Sequence, residues 1–265
     1  MNRNEMKMID LLKELKDEYG VIEVKAEYEN EGSRTDELTR LKDVVSAADL
    51  PVIIKIGGVE AITDIYNAII LGAQGIVAPM AETKFAVSKF INGVKNFVAI
   101  DNQETIDFAI NIETITSYNN IDEILSYEDI SLLTGVTIGR VDFTGSMGKD
   151  RDFANSQEMF QYCVNVFTKC RKKNLKCALG GAITIESVGF IKNLIDLNLL
   201  DKYETRKIVY DKSAINTIED GILHGVEFEL LWLKSKERYY HKIKLEDQNR
   251  INMLENRLNN DPVNN

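Results

Sequence analysis

Two histidines and three prolines among 265 residues make both types scarce, and each scarcity removes a class of explanation. His224 and His241 both fall in the C-terminal helical region and neither ends a strand. The sequence therefore supports neither a histidine-based triad nor a His-rich zinc site. Proline stands only at positions 51, 79 and 262, which leaves few breakers inside elements and no Pro-rich linker. The three cysteines, Cys163, Cys170 and Cys177, lie at seven-residue spacings that match no zinc pattern, and they read as reduced core thiols. No apolar run approaches the roughly 20 residues of a membrane span. Residues 1–19 are charged and amphipathic, without the apolar centre of a signal peptide, so a cytoplasmic location and no membrane partner are expected. No Walker-type phosphate loop and no strand–GxGxxG–helix fingerprint occurs. A formal net charge of −10 gives the chain no general attraction for nucleic acid or anionic lipid.

What the sequence does have is alternation. Residues 4–19 place Met6, Ile9, Leu11, Leu12 and Leu15 on one side of a helix that Gly20 ends. Strand patterns follow at 21–28, 51–56, 75–78, 106–112, 136–141, 176–179 and 206–210. Helical patterns fall at 35–48, 59–71, 84–93, 120–125, 156–173 and 185–197, and a long helix begins near residue 213. Residues 97–101 are an eighth strand candidate, either a barrel strand or a hairpin partner of 106–112 outside it. This order predicts an α/β fold in which helices cover a parallel sheet, and a closed (β/α)8 barrel of the TIM type fits the length. Because the chain opens with a helix, the usual first strand is missing or supplied from elsewhere. Residues 1–227 would form the barrel with its N-terminal helix. Residues 228–265 would form an amphipathic helical extension, either continuous or broken, that packs against another subunit and frays from 259 onward.

Two apolar runs end on carboxylates. Residues 108–114 read Phe-Ala-Ile-Asn-Ile-Glu-Thr and end on Glu113; residues 135–148 contain Val-Thr-Ile-Gly-Arg-Val-Asp and deliver Asp142. Neighbouring parallel strands bring such residues to one end of a sheet, where paired carboxylates suit a hard divalent cation. The same positions also suit carboxylates that cap the following helices, and spacing alone does not choose between these readings. Alternation along strands puts Lys25 with Glu27, Asn111 with Glu113, and Arg140 with Asp142, while Lys55 ends an otherwise apolar run. Charges pointing into a barrel are costly unless paired or bound. The Gly57-Gly58 and Gly180-Gly181 turns offer backbone N–H groups near helix starts, as weak anion-site signals.

Several of these stretches together resemble the HpcH/HpaI aldolase and citrate lyase β-subunit superfamily over roughly residues 20–210. They are residues 51–55, the Leu71-Gly72-Ala73 turn, Ile76-Val77-Ala78-Pro79-Met80, the Ile-Glu-Thr motif at 112–114, and the Ile-Gly-x-x-Asp-Phe-Thr motif at 138–144 with Met147-Gly148 following. The resemblance implies a (β/α)8 barrel acting on pyruvate- or phosphoenolpyruvate-type substrates. It also implies that Glu113 and Asp142 hold Mg2+ or Mn2+, which chelates a 2-oxoacid and stabilises its enolate. Three departures stand out. Lys55 replaces the family's substrate-binding Arg and loses its bidentate fork. Tyr28, after Glu27, replaces the His of a Glu-His pair. Arg140 follows Gly139, where the family commonly has a small residue or Pro.

The expectation is a metal-dependent carbon–carbon lyase or aldolase acting on a small-molecule 2-oxoacid, and a homo-oligomer. Lys55, Arg140 and Gly139 would contact substrate, and Glu27 would transfer protons through a metal-held water. The alternatives are a phosphoenolpyruvate- or acyl-CoA-using member, or a non-catalytic barrel that binds a small acid.

Overall fold

The computed structural model describes residues 1–259. Helix α1 (Arg3–Tyr19) precedes β1 (Val21–Glu27), and there follow α2 (Thr35–Ala47), β2 (Val52–Lys55), α3 (Ile62–Leu71) and β3 (Gly75–Ala78). Next come α4 (Lys84–Phe97), α5 (Ile100–Thr105), β4 (Asp107–Ile112), α6 (Ile115–Asn119), α7 (Ile121–Leu125) and β5 (Gly135–Gly139). The chain continues through α8 (Arg140–Ser146), α9 (Gln157–Arg171), β6 (Lys176–Gly180), α10 (Val188–Asp196), β7 (Lys202–Glu204), β8 (Ile208–Asp211) and α11 (Ile218–Asn259).

The strands close into an eight-stranded barrel in sequence order. β1 to β7 run parallel to their neighbours, but β8 is antiparallel to both β7 and β1, with Tyr203 opposite Tyr210 and Val24 opposite Ile208. No first strand is missing: β1 follows α1 and opens the barrel, and the ring closes through β8, the second arm of a hairpin whose turn is residues 205–207. Residues 97–101 are not a strand: they span the end of α4 and the start of α5. The three-residue β7 carries too little pattern to be read from sequence.

Local chemistry explains the frame. Asn2 accepts the N–H groups of Asn4 and Glu5 while Glu5 accepts that of Asn2, a reciprocal cap that starts α1. Gly20, at φ +61°, ends it, and an added Cβ there would sit 2.8 Å from that of Ala214. Met8, Leu12 and Leu15 of α1 are fully buried, as are Phe228 and Trp232 of α11 within a few per cent, and the two helices pack along one another. The main apolar core lies between strands and helices, where Val24, Ile54, Ile76, Ile110, Ile138 and Leu179 face outward from the barrel. The barrel interior is different: Glu23, Lys25, Ile53, Lys55, Val77, Thr137, Lys202 and Glu204 line a cavity of about 30 Å³. That is room for about one or two waters, too little for an organic ligand inside the barrel.

α11 runs unbroken across residue 228, so the boundary expected there falls inside one helix. Its first turns pack against α1 and the outer face of β8, and the residues after Ser235 are largely exposed. Of the expected frayed end, residues 260–265 lie outside the described residues. Gly225 sits on α11 where an added Cβ would be 2.1 Å from the Tyr210 hydroxyl oxygen. That hydroxyl is fixed by donation to the Gly221 carbonyl at 2.7 Å, and the Tyr210 ring stacks on Tyr203 at 5.0 Å. In an open helix Gly→Ala would stabilise by about 0.5–1 kcal/mol. Here Gly225→Ala is expected to destabilise by about 1–3 kcal/mol, read as a lower urea midpoint at unchanged slope.

Candidate active site

The carboxyl ends of β1, β2 and β4 meet at one mouth of the barrel and bring Glu27, Lys55 and Glu113 together. Glu113 follows β4 directly and is 1% exposed. Its Oε1 accepts the Met80 N–H at 3.0 Å, its Oε2 accepts the Asn111 amide at 3.1 Å, and Lys55 Nζ lies 3.5 Å from Oε2. Burial pushes the Glu113 pKa upward; Lys55, the Met80 N–H and Asn111 oppose this, and the charge of Asp142 adds to the rise. Gly139 makes the arrangement possible: a Cβ there would stand 2.7 Å from Glu113 Oε2. The close approach of Gly139 is to this carboxylate, which explains a glycine at that point in the motif.

Lys55 is desolvated, which by itself would lower its pKa, but the carboxylates of Glu113, Glu29 and Glu27 more than offset this and the pKa is raised. Glu27 is likewise buried, and Lys25, Lys55 and Arg206 pull its pKa down despite desolvation. Lys25 bridges Glu204 Oε1 at 2.6 Å and Glu27 Oε1 at 3.3 Å. Glu27 is therefore a firmly ionised member of a charge network, available as an acceptor but weakened as a base.

Arg140 requires correction. β5 ends at Gly139, so Arg140 and Asp142 lie in the first turn of α8 and not on a strand face. Val136 and Ile138 face the helices, Thr137 and Gly139 face inward, and Arg140 continues the outward set. Its guanidinium is wholly buried and donates to the carbonyls of Ala154 at 2.9 Å and Gly181 at 2.8 Å, and to Asn155 Oδ1 at 2.8 Å. It also lies 4.8 Å from the Phe190 ring centre. Burial depresses its pKa to about 10. It is a structural clamp between α8 and the loop after β6, with no free donor for a substrate.

The two glycine turns are also accounted for. An added Cβ at Gly181 would be 2.7 Å from the Arg140 and Val141 amide nitrogens, so that turn serves packing against α8. The Gly57 N–H is taken by Asp64 Oδ2 at 2.7 Å.

The structure adds residues that sequence reasoning missed. Lys207, 2% exposed, pairs with Glu31, and Glu29 lies beside Lys55. Arg206 occupies the turn between β7 and β8, exposed and close enough for its charge to act on Glu27. Because β8 is antiparallel, its start lies at the mouth; in a parallel strand Lys207 would have fallen at the opposite end. Tyr28, at the position of the family His, buries a hydroxyl with no hydrogen-bond partner.

Among the described residues no three His, Cys, Asp or Glu side chains gather as a metal cluster. Glu113 and Asp142 nevertheless fit a small hard cation. Two carboxylates repel across a desolvated site, the Asn111 Oδ1 atom is buried and unpartnered, and Mg2+ typically takes one or two protein carboxylates with water and substrate for the rest.

A family model described as HpcH/HpaI aldolase/citrate lyase matches residues 33–187, more than half the chain. The protein belongs to the HpcH/HpaI aldolase/citrate lyase family. The matched segment holds Lys55, Glu113 and Asp142 but neither Glu27 nor the β7–β8 hairpin. Among solved structures, the HpcH/HpaI aldolase of Desulfitobacterium hafniense DCB-2 aligns over 83% of this chain and 87% of its own, at 14% identity and a TM-score of 0.59. Citrate synthase SbnG aligns over 87% and 90%, at 15% identity and a TM-score of 0.60. An HpcH/HpaI aldolase/citrate lyase family protein from Burkholderia cenocepacia J2315 aligns over 89% and 99%, at 10% identity and 0.54. At these identities the likeness is one of fold. Comparison with curated protein sequences finds no match.

Arg140→Lys is expected to lower stability by about 2–4 kcal/mol, because several buried carbonyls lose their donors. The denaturation midpoint should fall while the substrate KM of the folded fraction stays unchanged; a raised KM at wild-type stability would return Arg140 to the site.

Proposed function

We propose that this family member is a Mg2+- or Mn2+-dependent carbon–carbon lyase acting on a 2-oxoacid of the pyruvate type. The observation that carries the reading is the buried Glu113, held by the Met80 N–H and the Asn111 amide beside the cation of Lys55, with the charge of Asp142 near enough to act on it. Glu113 and Asp142 would hold the ion, which when bound supplies Lewis-acid polarisation of the substrate's keto group. Lys55 would receive the substrate carboxylate, as a single point charge where an arginine would give a fork. A preorganised cation next to the reacting 2-oxoacid would also stabilise the negative charge that develops as the carbon–carbon bond breaks. Glu27, ionised beside Lys25, is the acceptor nearest to hand for a proton leaving the substrate. Gly139 serves by leaving space for the Glu113 carboxylate, and Arg140 serves by fixing α8 and with it Asp142.

No helix among the described residues is long and apolar enough to cross a membrane, and all three cysteines are buried and free. These features accord with the cytoplasmic location we infer.

The test is calorimetric titration of metal-free protein with Mg2+ or Mn2+, with and without oxalate, whose planar dianion imitates the enolate of pyruvate. Oxalate should bind only when metal is present. Asp142→Asn should reduce metal-dependent turnover by more than the 10- to 100-fold typical of losing an outer-shell partner, about 100-fold or beyond. Asp142 is half-exposed, so the Tm should move by no more than about 2 °C. Full activity in that variant removes the site.

We also infer a homo-oligomer, because α11 exposes Ile243, Ile251, Leu254 and Leu258 beyond the barrel. In light scattering, the double substitution Ile251→Glu, Leu254→Glu should lower the molar mass; an unchanged mass places the interface elsewhere.

A further inference from the structure

The loop between β1 and α2, residues 28–34, reaches over the mouth toward both strands that flank β1. Glu29 Oε2 lies 2.6 Å from Lys55 Nζ at the end of β2. Glu31 Oε2 lies 2.5 Å from Lys207 Nζ at the start of β8. The Tyr28 N–H still bonds the Lys55 carbonyl at 2.9 Å, but beyond it no backbone hydrogen bond among the described residues ties 29–33 to the barrel. The loop closes on itself through the Gly32 N–H and Glu29 carbonyl, with Gly32 at φ +53°. Two carboxylates therefore hold it down.

These two anchors differ in kind. Lys207 donates an aligned hydrogen bond to Glu31, and both side chains are closed to solvent, at 2% and 8% exposure. Glu29 is 22% exposed, and its Oε2 receives no aligned hydrogen bond despite its closeness to Lys55. The other carboxylate on Lys55 cannot leave, because Glu113 is fixed by the Met80 N–H and Asn111. An incoming anion that needs Lys55 can displace only Glu29.

We propose that Glu29 occupies the place of the substrate carboxylate on Lys55, and that loop 28–34 opens when a substrate carboxylate takes that place. This rests on the reading of Lys55 as the carboxylate site. The exchange conserves charge around the lysine: one carboxylate leaves as another arrives, so the buried ammonium keeps a second carboxylate beside Glu113 throughout. A neutral carbonyl compound offers no such exchange and leaves the loop down. Glu29 is thereby a specificity-determining residue that selects acids over neutral ketones, and Glu31 with Lys207 is the pivot that stays.

The test compares wild-type protein with Glu29→Gln, a near-isosteric change at a partly exposed position that leaves Lys55 paired with Glu113. An open state populated at about 10% or less weakens the apparent affinity about tenfold or more, and the variant should recover that factor in oxalate affinity with Mg2+ present. Amide hydrogen exchange of residues 29–33, in protein free of metal and oxalate, should quicken in the variant. Equal oxalate affinity in the two proteins overturns the proposal while leaving the metal and Lys55 reading intact. Unchanged exchange at 29–33 also overturns it. Absence of oxalate binding in both proteins removes the Lys55 reading and this inference with it.

Discussion

An ammonium inside a β-barrel is tolerable only against a carboxylate, and this barrel holds several. Lys25 lies against Glu204 of β7, Lys202 against Glu23 of β1, Lys55 against Glu113 after β4, and Lys207 against Glu31. Two of these pairs join β1 to β7 across the interior face of β8, where Val209 leaves room for them. Removing one member of such a pair strands its partner, at a cost of about 3–5 kcal/mol. The ordinary apolar filling of a barrel is thus replaced by a charge lattice, and the apolar core has moved outward between strands and helices. The glycines and alanines at 75, 109, 135, 139, 178 and 180 give that lattice its space.

This constraint sets the character of the mouth. Among the described residues no lysine there is free, so an anion reaches Lys55 or Lys207 by exchange and not by filling a vacancy. Glu113 is the exception among the acids: with Asp142 nearby its burial is only partly offset, and its pKa rises where that of Glu27 falls. Environments that push two neighbouring carboxyls apart in pKa are typical of a site with work to divide. On the proposed reading Glu113 would hold the cation, while the cations around Glu27 favour its ionised form.

Much of this was legible in the sequence. The turn glycines Gly20 and Gly72, the strand runs from β1 to β6, and the convergence of Glu27, Lys55 and Glu113 follow from period-two alternation and from the parallel βα rule. Three things were not. One is the phase of β5: pairing Arg140 with Asp142 by alternation extends the strand past Gly139 and turns Arg140 inward with Val136 and Ile138, as an apolar interior would suggest. In a charged barrel they face the helices, and Arg140 follows them outward. Residues 97–101 look strand-like because the four residues 97–100 form an apolar run, yet they mark the junction of two helices whose packing decides their state. The third was the direction of β8, which no local pattern encodes.

That direction has the widest consequence. A parallel eighth strand would present its carboxyl end at the mouth, whereas β8 presents its start and the turn that leads into it. Residues 205–207 therefore carry the cations of Arg206 and Lys207 to the substrate side from a segment outside the family match. Lys207 then secures Glu31, Glu31 holds the β1–α2 loop, and that loop places Glu29 on Lys55. The chain from strand direction to site electrostatics is continuous: reversing one strand supplies the cation that pins the loop, and the loop supplies the acid that guards the lysine. The matched segment holds the residues where a metal would sit, and Glu29, Glu31 and Lys207, which lie outside it, fix how the mouth beside it is closed.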